Sequence, residues 1–198
     1  MDAKLRNINW DNYDLNRILF KNYVKNENNE IKYTDNNAMD EKLIMYIDIH
    51  YLRNTQIHVT TPTMKAPFAF NKNTNLFYLQ FTNIKTDTTM QSFYKFINSL
   101  ELLQMKHIGI TETNVDDYLS QIKYDSKKKY DPNLVTKVAF LTKQNRYSVS
   151  IFNKDKRFIS IFNIPKFARV QCDIYIDKIW KYNGAFVAKW KVSKIYIL

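Results

Sequence analysis

ARVQCDIYIDKIWKYNGAFVAKWKVSKIYI, residues 168 to 197, contains two runs of β-branched and aromatic residues on either side of an Asn-Gly pair. Such residues favour strands, and Asn-Gly tolerates the positive φ angles that tight hairpin turns require. Lysines recur among the aromatic residues of both runs. The stretch therefore predicts a long β-hairpin that carries a basic surface.

The register of this hairpin can be argued from how it sorts the side chains. A two-residue loop formed by the Asn-Gly pair places Asp177 opposite Trp190, which mixes charged and apolar residues on both faces. A three-residue loop, residues 182 to 184, separates the faces, and we therefore predict it. The predicted partners are Trp180 with Phe186, Ile176 with Trp190, Ile174 with Val192 and Asp177 with Lys189.

In that register one face is apolar and the other is largely positive. The apolar face predicts a core surface that includes both tryptophans, with Lys178 as its exception: Cys172, Ile174, Ile176, Trp180, Phe186, Ala188, Trp190 and Val192. The opposite face carries Tyr175, Ile179, Lys181, Val187, Lys189 and Lys191, together with Asp173 and Asp177. If this second face contacts a ligand, its tyrosine offers a ring and its lysines offer positive charge.

The rest of the chain combines strand patterns with one clear helix pattern. A capping signal at Thr88, followed by apolar residues at helical spacing, predicts the main helix over residues 89 to 106. Shorter helices are predicted over residues 13 to 24 and 113 to 122. The two prolines of residues 62 to 70 predict an edge or irregular segment. Strands are predicted at residues 43–49, 56–61, 76–82, 135–141, 146–152 and 157–162.

These elements predict a mainly β fold with one inserted helix. The strands after the helix are joined by short polar connections, which is typical of an antiparallel meander closing into a small barrel or sandwich. The main helix lies between the early and the late strands. The length of 198 residues favours a single domain, with residues 1 to 42 as an N-terminal extension and 43 to 198 as the core.

The net charge of +11 is unevenly distributed along the chain. Residues 119 to 198 hold 17 Lys and Arg against 5 Asp and Glu, a net charge of +12, so the remaining residues sum to −1. A basic surface can serve solubility alone. Its confinement to the β-rich part favours instead an electrostatic surface for a polyanion.

Composition also restricts the compartment and the chemistry. The single cysteine, Cys172, cannot form an internal disulfide, and no apolar run approaches the ~18 residues that a membrane span needs, so we expect an intracellular protein without a membrane partner. Two glycines leave little scope for a phosphate-binding glycine loop. We therefore predict no cofactor.

Single-stranded nucleic acid offers phosphates together with unstacked bases, and basic strands interleaved with aromatic residues can contact both. The candidate contacts lie on the hairpin and on three turns that precede it. They are Lys127, Lys128, Lys129 and Tyr130; Lys143, Arg146 and Tyr147; Lys154, Lys156, Arg157 and Phe158; and Tyr175, Lys181, Lys189 and Lys191.

Three stretches, in order along the chain, resemble one family. They are PTMKAPFAF (residues 62–70), FYKFINSLE (93–101) and IKYDSKKKYDPNLVTKVAF (122–140) followed by the hairpin. Together they resemble the single-stranded DNA-binding proteins of nucleocytoplasmic large DNA viruses, although Ala69 stands where that family is expected to have glycine. The resemblance implies an OB-fold-like barrel and sequence-independent binding of single-stranded DNA in viral replication or recombination. It also implies a location in a cytoplasmic viral factory or in the nucleus.

Other functions are weighed against this one. The chain has three histidines and no metal-binding or nucleophile motif, so we predict no enzyme and no metal site; a metal-dependent nuclease would need Asp48, Glu101 and Asp116 to converge. A basic virion or scaffold protein is the main alternative. RNA stays open as a ligand, as do self-association and the identity of any replication partner.

Overall fold

The computed structural model describes residues 9–25, 31–33, 44–52, 55–182 and 184–198, and this part of the chain is mainly β. Its single α-helix, α1, spans Thr88–His107. Short 3-10 helices span Trp10–Asn12, Leu15–Arg17, Glu112–Asp117, Thr142–Gln144 and Ile161–Asn163. The strands are β1 (Ile18–Lys25), β2 (Ile31–Tyr33), β3 (Ile44–Tyr51), β4 (Ile57–Thr60), β5 (Met64–Ala66), β6 (Leu76–Gln80), β7 (Ile122–Lys123), β8 (Asn133–Lys137), β9 (Phe140–Leu141), β10 (Arg146–Tyr147), β11 (Ser150–Phe152), β12 (Ala168–Ile176), β13 (Lys178–Tyr182), β14 (Ala185–Ala188) and β15 (Trp190–Ile197).

Five strands close into a barrel in the order β12, β5, β6, β8 and β15. The closing contact is a parallel pairing in which Trp190 and Lys191 of β15 lie opposite Thr136 and Lys137 of β8. Numbered along the chain, the barrel strands follow the order first, second, third, fifth and fourth, which is that of the Greek-key OB fold. The predicted OB-like fold, with one main helix between early and late strands, is confirmed.

The barrel interior is filled by alternate residues of its strands. Phe77 and Leu79 of β6 are buried, with Leu79 opposite the buried Leu134 of β8, and Trp190 of β15 is also buried. Burying a side chain of this size stabilises the folded state by about 1.5–3 kcal/mol. In β6, where buried and partly buried residues alternate, the side chains that point inward follow the period of two expected for a strand.

One barrel strand departs from the prediction for its segment. Residues 62 to 70 were expected at an edge because of their prolines, yet β5 pairs with β12 on one side and with β6 on the other. The prolines flank the strand, since Pro62 lies two residues before it and Pro67 directly follows it. Neither ring therefore removes a hydrogen-bond donor from the strand itself.

Helix α1 covers the barrel with the predicted face. Its buried residues are Met90, Phe93, Phe96, Ile97, Leu100, Glu101 and Gln104. The helix begins differently from the prediction, because its N-cap is Asp87 and not a Thr88 capping box. The Asp87 carboxylate accepts hydrogen bonds from the backbone N–H groups of Thr89 and Met90, at 2.9 and 3.1 Å.

A second sheet, in the order β14, β13, β3, β1 and β2, joins N-terminal strands to the C-terminal hairpin. The helix predicted over residues 13 to 24 is wrong. β1 occupies most of that segment and pairs along its full length with β3, from Ile18 opposite Tyr51 to Lys25 opposite Ile44. Pairing with β3 determines the strand conformation of this segment, and the helical spacing of its apolar residues does not. Tyr13 and Ile18 belong to the same buried core as the barrel.

The hairpin tip uses the register that we expected to be disfavoured. Trp180 lies opposite Val187 and Tyr182 lies opposite Ala185, which is the pairing of the rejected register. Further from the tip the pairing shifts by one, and Ile174 lies opposite Val192 as predicted. The shift falls at Asp177 and Lys189, which belong to neither strand of the hairpin. Because of this irregularity, the tip of the hairpin follows the rejected register while Ile174 and Val192 follow the predicted one.

Two further segments differ from their predictions. Residues 157 to 162 contain only an isolated antiparallel bridge, Phe158 opposite Phe152, and the start of a 3-10 helix. The preceding turn is closed by the Asn153 side chain, which accepts hydrogen bonds from the backbone N–H groups of Asp155 and Arg157. Residues 112 to 117 form a 3-10 helix that begins after Thr111, and not an α-helix reaching residue 122. No helix among the described residues is long and apolar enough to cross a lipid bilayer.

His58 on β4 should make the stability of the fold depend on pH. Burial lowers the pKa of its imidazole, with Asp173 acting in the opposite direction. The unfolded chain titrates near the usual value of about 6.5, so it takes up the proton first as the pH falls and stability is lost. We expect the free energy of unfolding of H58Q to vary less than that of the wild type between pH 7.5 and 5.5. Urea titrations at both values measure this, and parallel pH profiles would contradict it.

Candidate nucleic-acid interface

A groove of about 830 Å³ opens where the end of β8 meets the C-terminal hairpin. Its lining comes from four parts of the chain: the segment around β8 and β9, residues 177 to 191, Leu119, and Asn75 just before β6. The lining residues are Asn75, Leu119, Lys137, Ala139, Phe140, Thr142, Asp177, Lys178, Trp180, Lys181, Val187, Lys189 and Lys191. Five of these are lysines and one is acidic, so the groove carries a strong positive charge.

Two of the groove lysines form ion pairs. Lys191 Nζ lies 2.7 Å from a carboxylate oxygen of Asp177, and Lys178 Nζ lies 3.2 Å from Asp48. These pairs are partly buried and hold the two side chains along the lining. They also cancel part of the local charge.

Lys137 and Lys189 are the lysines that the groove leaves uncompensated. Within the described ranges neither ammonium forms an ion pair with a carboxylate. Burial lowers the pKa of Lys189, and the positive charge of Lys137 lowers it further. Two like charges in a partly desolvated groove repel each other, so an anion placed between them would stabilise both.

Trp180 contributes an aromatic surface to this groove, contrary to the prediction that both hairpin tryptophans are core. Trp190 is buried in the barrel, whereas Trp180 is only partly buried and lies 5.2 Å from Tyr46 between ring centroids. Lys178 Nζ lies 3.8 Å from the centre of the Tyr46 ring. The irregularity at Asp177 and Lys189 accounts for the difference, because beyond it Ile179 is buried and Trp180 is not.

A cluster of four rings lies beside the groove, and we call it the aromatic patch. Tyr147 is at its centre, with ring centroids 5.0 Å from Phe70, 5.0 Å from Phe140 and 5.9 Å from Phe162. Phe162 is 58% exposed and Phe140 is 39% exposed. The Tyr147 hydroxyl donates a hydrogen bond of 3.2 Å to the side chain of Asn75. Because Asn75 and Phe140 also line the groove, patch and groove form one continuous surface.

The predicted contacts divide among three places, and one group lies at this surface. Lys181, Lys189 and Lys191 line the groove, and Tyr147 belongs to the aromatic patch. Lys143 is exposed in the 3-10 helix that joins β9 to β10, and Arg146 is exposed at the start of β10. Tyr175 lies beside the groove, with Lys191 Nζ 5.6 Å from its ring centre, and its pKa is raised by burial and then by Asp177.

The predicted loop contacts Lys127, Lys128, Lys129 and Tyr130 are exposed but lie at the other end of β8. The Asp125 carboxylate shapes this loop by accepting a hydrogen bond of 2.8 Å from the backbone N–H of Lys129. The groove lies at the Lys137 end of the strand, about 13 Å away at the usual rise per residue. The structure does not bring this loop to the groove.

The third predicted group, Lys154, Lys156, Arg157 and Phe158, is also remote from the groove. All four side chains are exposed in the turn that follows β11. β11 pairs in parallel with the last residues of β15, from Ser150 opposite Lys194 to Phe152 opposite Tyr196. The groove lies at the first residues of β15, so the strand separates the two regions.

Sequence reasoning missed several residues of the surface. Lys137, Lys178 and Phe140 line the groove, and Phe70 and Phe162 belong to the aromatic patch. Lys137 was visible within a predicted strand, but its position beside β15 follows only from the closed barrel. No local signal in the sequence distinguishes it from other strand lysines.

The carboxylates that a nuclease would need are not brought together. Asp48 pairs with Lys178, and Glu101 accepts hydrogen bonds of 2.6 and 2.7 Å from the Ser120 hydroxyl and the Gln121 backbone N–H. Asp116 is exposed in a 3-10 helix. Across the described ranges, no group of three or more His, Cys, Asp and Glu side chains is arranged to hold a metal ion.

Comparison with known proteins yields little at the level of sequence. No family model matches the chain, and no curated protein matches it. One similar solved structure is a single-stranded DNA-binding protein from bacteriophage Enc34 in complex with ssDNA. The two are 8% identical with a TM-score of 0.49, and the match covers 76% of this chain and 89% of that one.

Proposed function

We propose that this protein binds single-stranded DNA in the basic groove and across the aromatic patch. The observation that carries the proposal is the uncompensated pair Lys137 and Lys189, set in a groove that continues into exposed rings. Phosphates would be held by the lysines and unpaired bases would stack on the patch. This is a binding function, with no chemical step.

The proposed binding is independent of sequence. Lysine attracts phosphate as a point charge, and an aromatic ring can stack on any base because every base has a π face. Reading a particular base would require hydrogen-bonding side chains at its edge, and the groove lining is dominated by lysines and apolar residues. Duplex DNA would bind more weakly, since its bases are already stacked on each other and cannot reach Phe140 or Phe162.

The position of the surface in the fold supports the proposal by analogy. OB folds bind oligonucleotides with their second and third strands and with the loops that join strands one to two and four to five. Here those strands are β6 and β8, and the loops are residues 67–75 and 177–189. Phe70 and Asn75 lie in the first loop, and most of the groove lysines lie in or beside the second.

The biological setting that we propose is viral DNA replication or recombination, in a cytoplasmic factory or in the nucleus of the host. It rests on the resemblance of residues 62–70, 93–101 and 122–140 to the single-stranded DNA-binding proteins of nucleocytoplasmic large DNA viruses. A protein that covers exposed strands without regard to sequence would suit either process. The partners that it would meet there are not specified by this surface.

Fluorescence anisotropy tests the proposal directly. Labelled oligo-dT and a duplex of the same length are titrated with protein at two salt concentrations, with unlabelled oligo-rU as competitor. We expect tight binding to oligo-dT, weak binding to the duplex, and a clear loss of affinity at the higher salt concentration. Equal or absent binding to the two DNAs would overturn the proposal and favour a structural role. Effective competition by oligo-rU would extend the ligand to RNA.

A further inference from the structure

Three neighbouring rings, two of them parallel and the third tilted by 43°, lie on the barrel surface at the far end of β15 from the groove, and we call them the ring stack. Phe152 is the middle ring, with Phe158 at 4.6 Å and Tyr196 at 5.4 Å between centroids. The planes of Phe152 and Tyr196 are within 12° of parallel. Phe158 is 74% exposed, so the outermost ring presents most of its surface to solvent.

Hydrogen bonds order the backbone on both sides of Phe158. Asn153 N–H donates to the Arg157 carbonyl at 3.0 Å, and Ile159 N–H donates to the Ile151 carbonyl at 3.0 Å. The Asn153 side chain closes the same turn by accepting from the N–H of Arg157 at 2.9 Å. The backbone on both sides of Phe158 is therefore ordered before a ligand arrives, which reduces the entropy cost of placing a base against this ring.

Positive charge surrounds the ring stack. Lys154, Lys156 and Arg157 are exposed in the same turn, against one acidic residue, Asp155. Arg169 is exposed on the outer face of β12, two residues from Gln171, which lies opposite Tyr196. Exposed planar rings beside cations match a ligand that has both flat faces and negative charges, and a nucleotide strand has both.

We propose that the ring stack is a second stacking surface for the same DNA strand, used only by strands long enough to extend from the groove along β15. The proposal rests on the proposed function. Lys191 in the groove and Tyr196 in the stack are separated by five residues of one strand, about 17 Å at the usual rise. At a stacked spacing of about 3.4 Å, that distance corresponds to about five nucleotides. The outer face between them carries Ser193 and the exposed Lys194.

The test compares F158A with wild type on two lengths of labelled oligo-dT, about five and about 20 nucleotides. We expect the dissociation constant of F158A for the longer oligonucleotide to rise about tenfold, because one base loses its stacking partner. Affinity for the shorter one should equal that of the wild type. F158W keeps a ring at this position and should bind the longer strand as the wild type does.

The outcomes separate this inference from the proposed function. If the wild type binds neither length, the proposed function fails. If F158A and wild type bind the longer strand equally, or if F158A loses affinity for both lengths alike, the second surface is overturned and binding in the groove stands. Light scattering coupled to size exclusion is measured on both proteins. A smaller mass for F158A with unchanged DNA affinity would assign the stack to contact between copies of this chain and overturn the proposal.

Discussion

K137A/K189A should bind oligo-dT about 25-fold more weakly than the wild type at 0.1 M salt. Each lysine that contacts a phosphate contributes about 0.7 to the slope of log K against log salt for single strands, so two lost contacts flatten the slope by about 1.4. If the variant and the wild type bind equally at 1 M salt, a slope that is flatter by about 1.4 makes the variant about 25-fold weaker at 0.1 M, one decade lower. Anisotropy titrations at four or more salt concentrations measure both quantities. An unchanged slope would show that these lysines do not contact phosphate.

Two control variants make this result specific. K95A/K106A removes the same charge from exposed positions on α1, and its slope should remain that of the wild type. K137R/K189R keeps both charges in the groove and should retain most of the affinity. If the α1 variant lost as much affinity as the groove variant, the effect would come from net charge alone.

F140A/F162A should lower the affinity for oligo-dT at least 30-fold while leaving the salt slope unchanged. Stacking on an aromatic side chain contributes about 1–3 kcal/mol per base, so two lost platforms cost about 2–6 kcal/mol. No cation is removed, and counterion release is therefore the same. Both rings are substantially exposed, so the barrel should keep its stability.

The matched control for the aromatic variant is L102A, which removes an apolar side chain that is 56% exposed on α1. Its affinity for oligo-dT should equal that of the wild type. Thermal unfolding of all the variants checks that the fold is retained. Wild-type affinity in F140A/F162A would exclude the aromatic patch from the DNA path, while the lysine result could still support the groove.

The sequence predicted best the elements whose pattern reflects a single buried face. The face of α1 repeats at helical spacing, the alternation in β6 matches its burial, and the alternation in β12 does so except at the buried Asp173. Such patterns are local, because each depends on one element and the core beneath it. The mainly β fold with one inserted helix followed from them.

The features that the sequence missed depend on contacts between distant segments. β1 is a strand because β3 lies beside it, and Trp180 leaves the core because the hairpin changes register near Asp177. Lys137 becomes part of the groove only when β8 meets β15. Charge and aromatic content indicated the kind of ligand, but only the closed barrel shows which of the many lysines lie together.

The pairing between β8 and β15 also determines how soon after its synthesis the protein can bind nucleic acid. Lys137 and Lys191 become neighbours only after the final strand of the barrel has left the ribosome and docked. Until then the interior lacks Trp190, and the groove lacks one of its sides. Contacts this distant in sequence form late, because the intervening chain must first be ordered. A nascent chain would thus have no complete groove with which to capture nucleic acid, and capture would await a finished barrel.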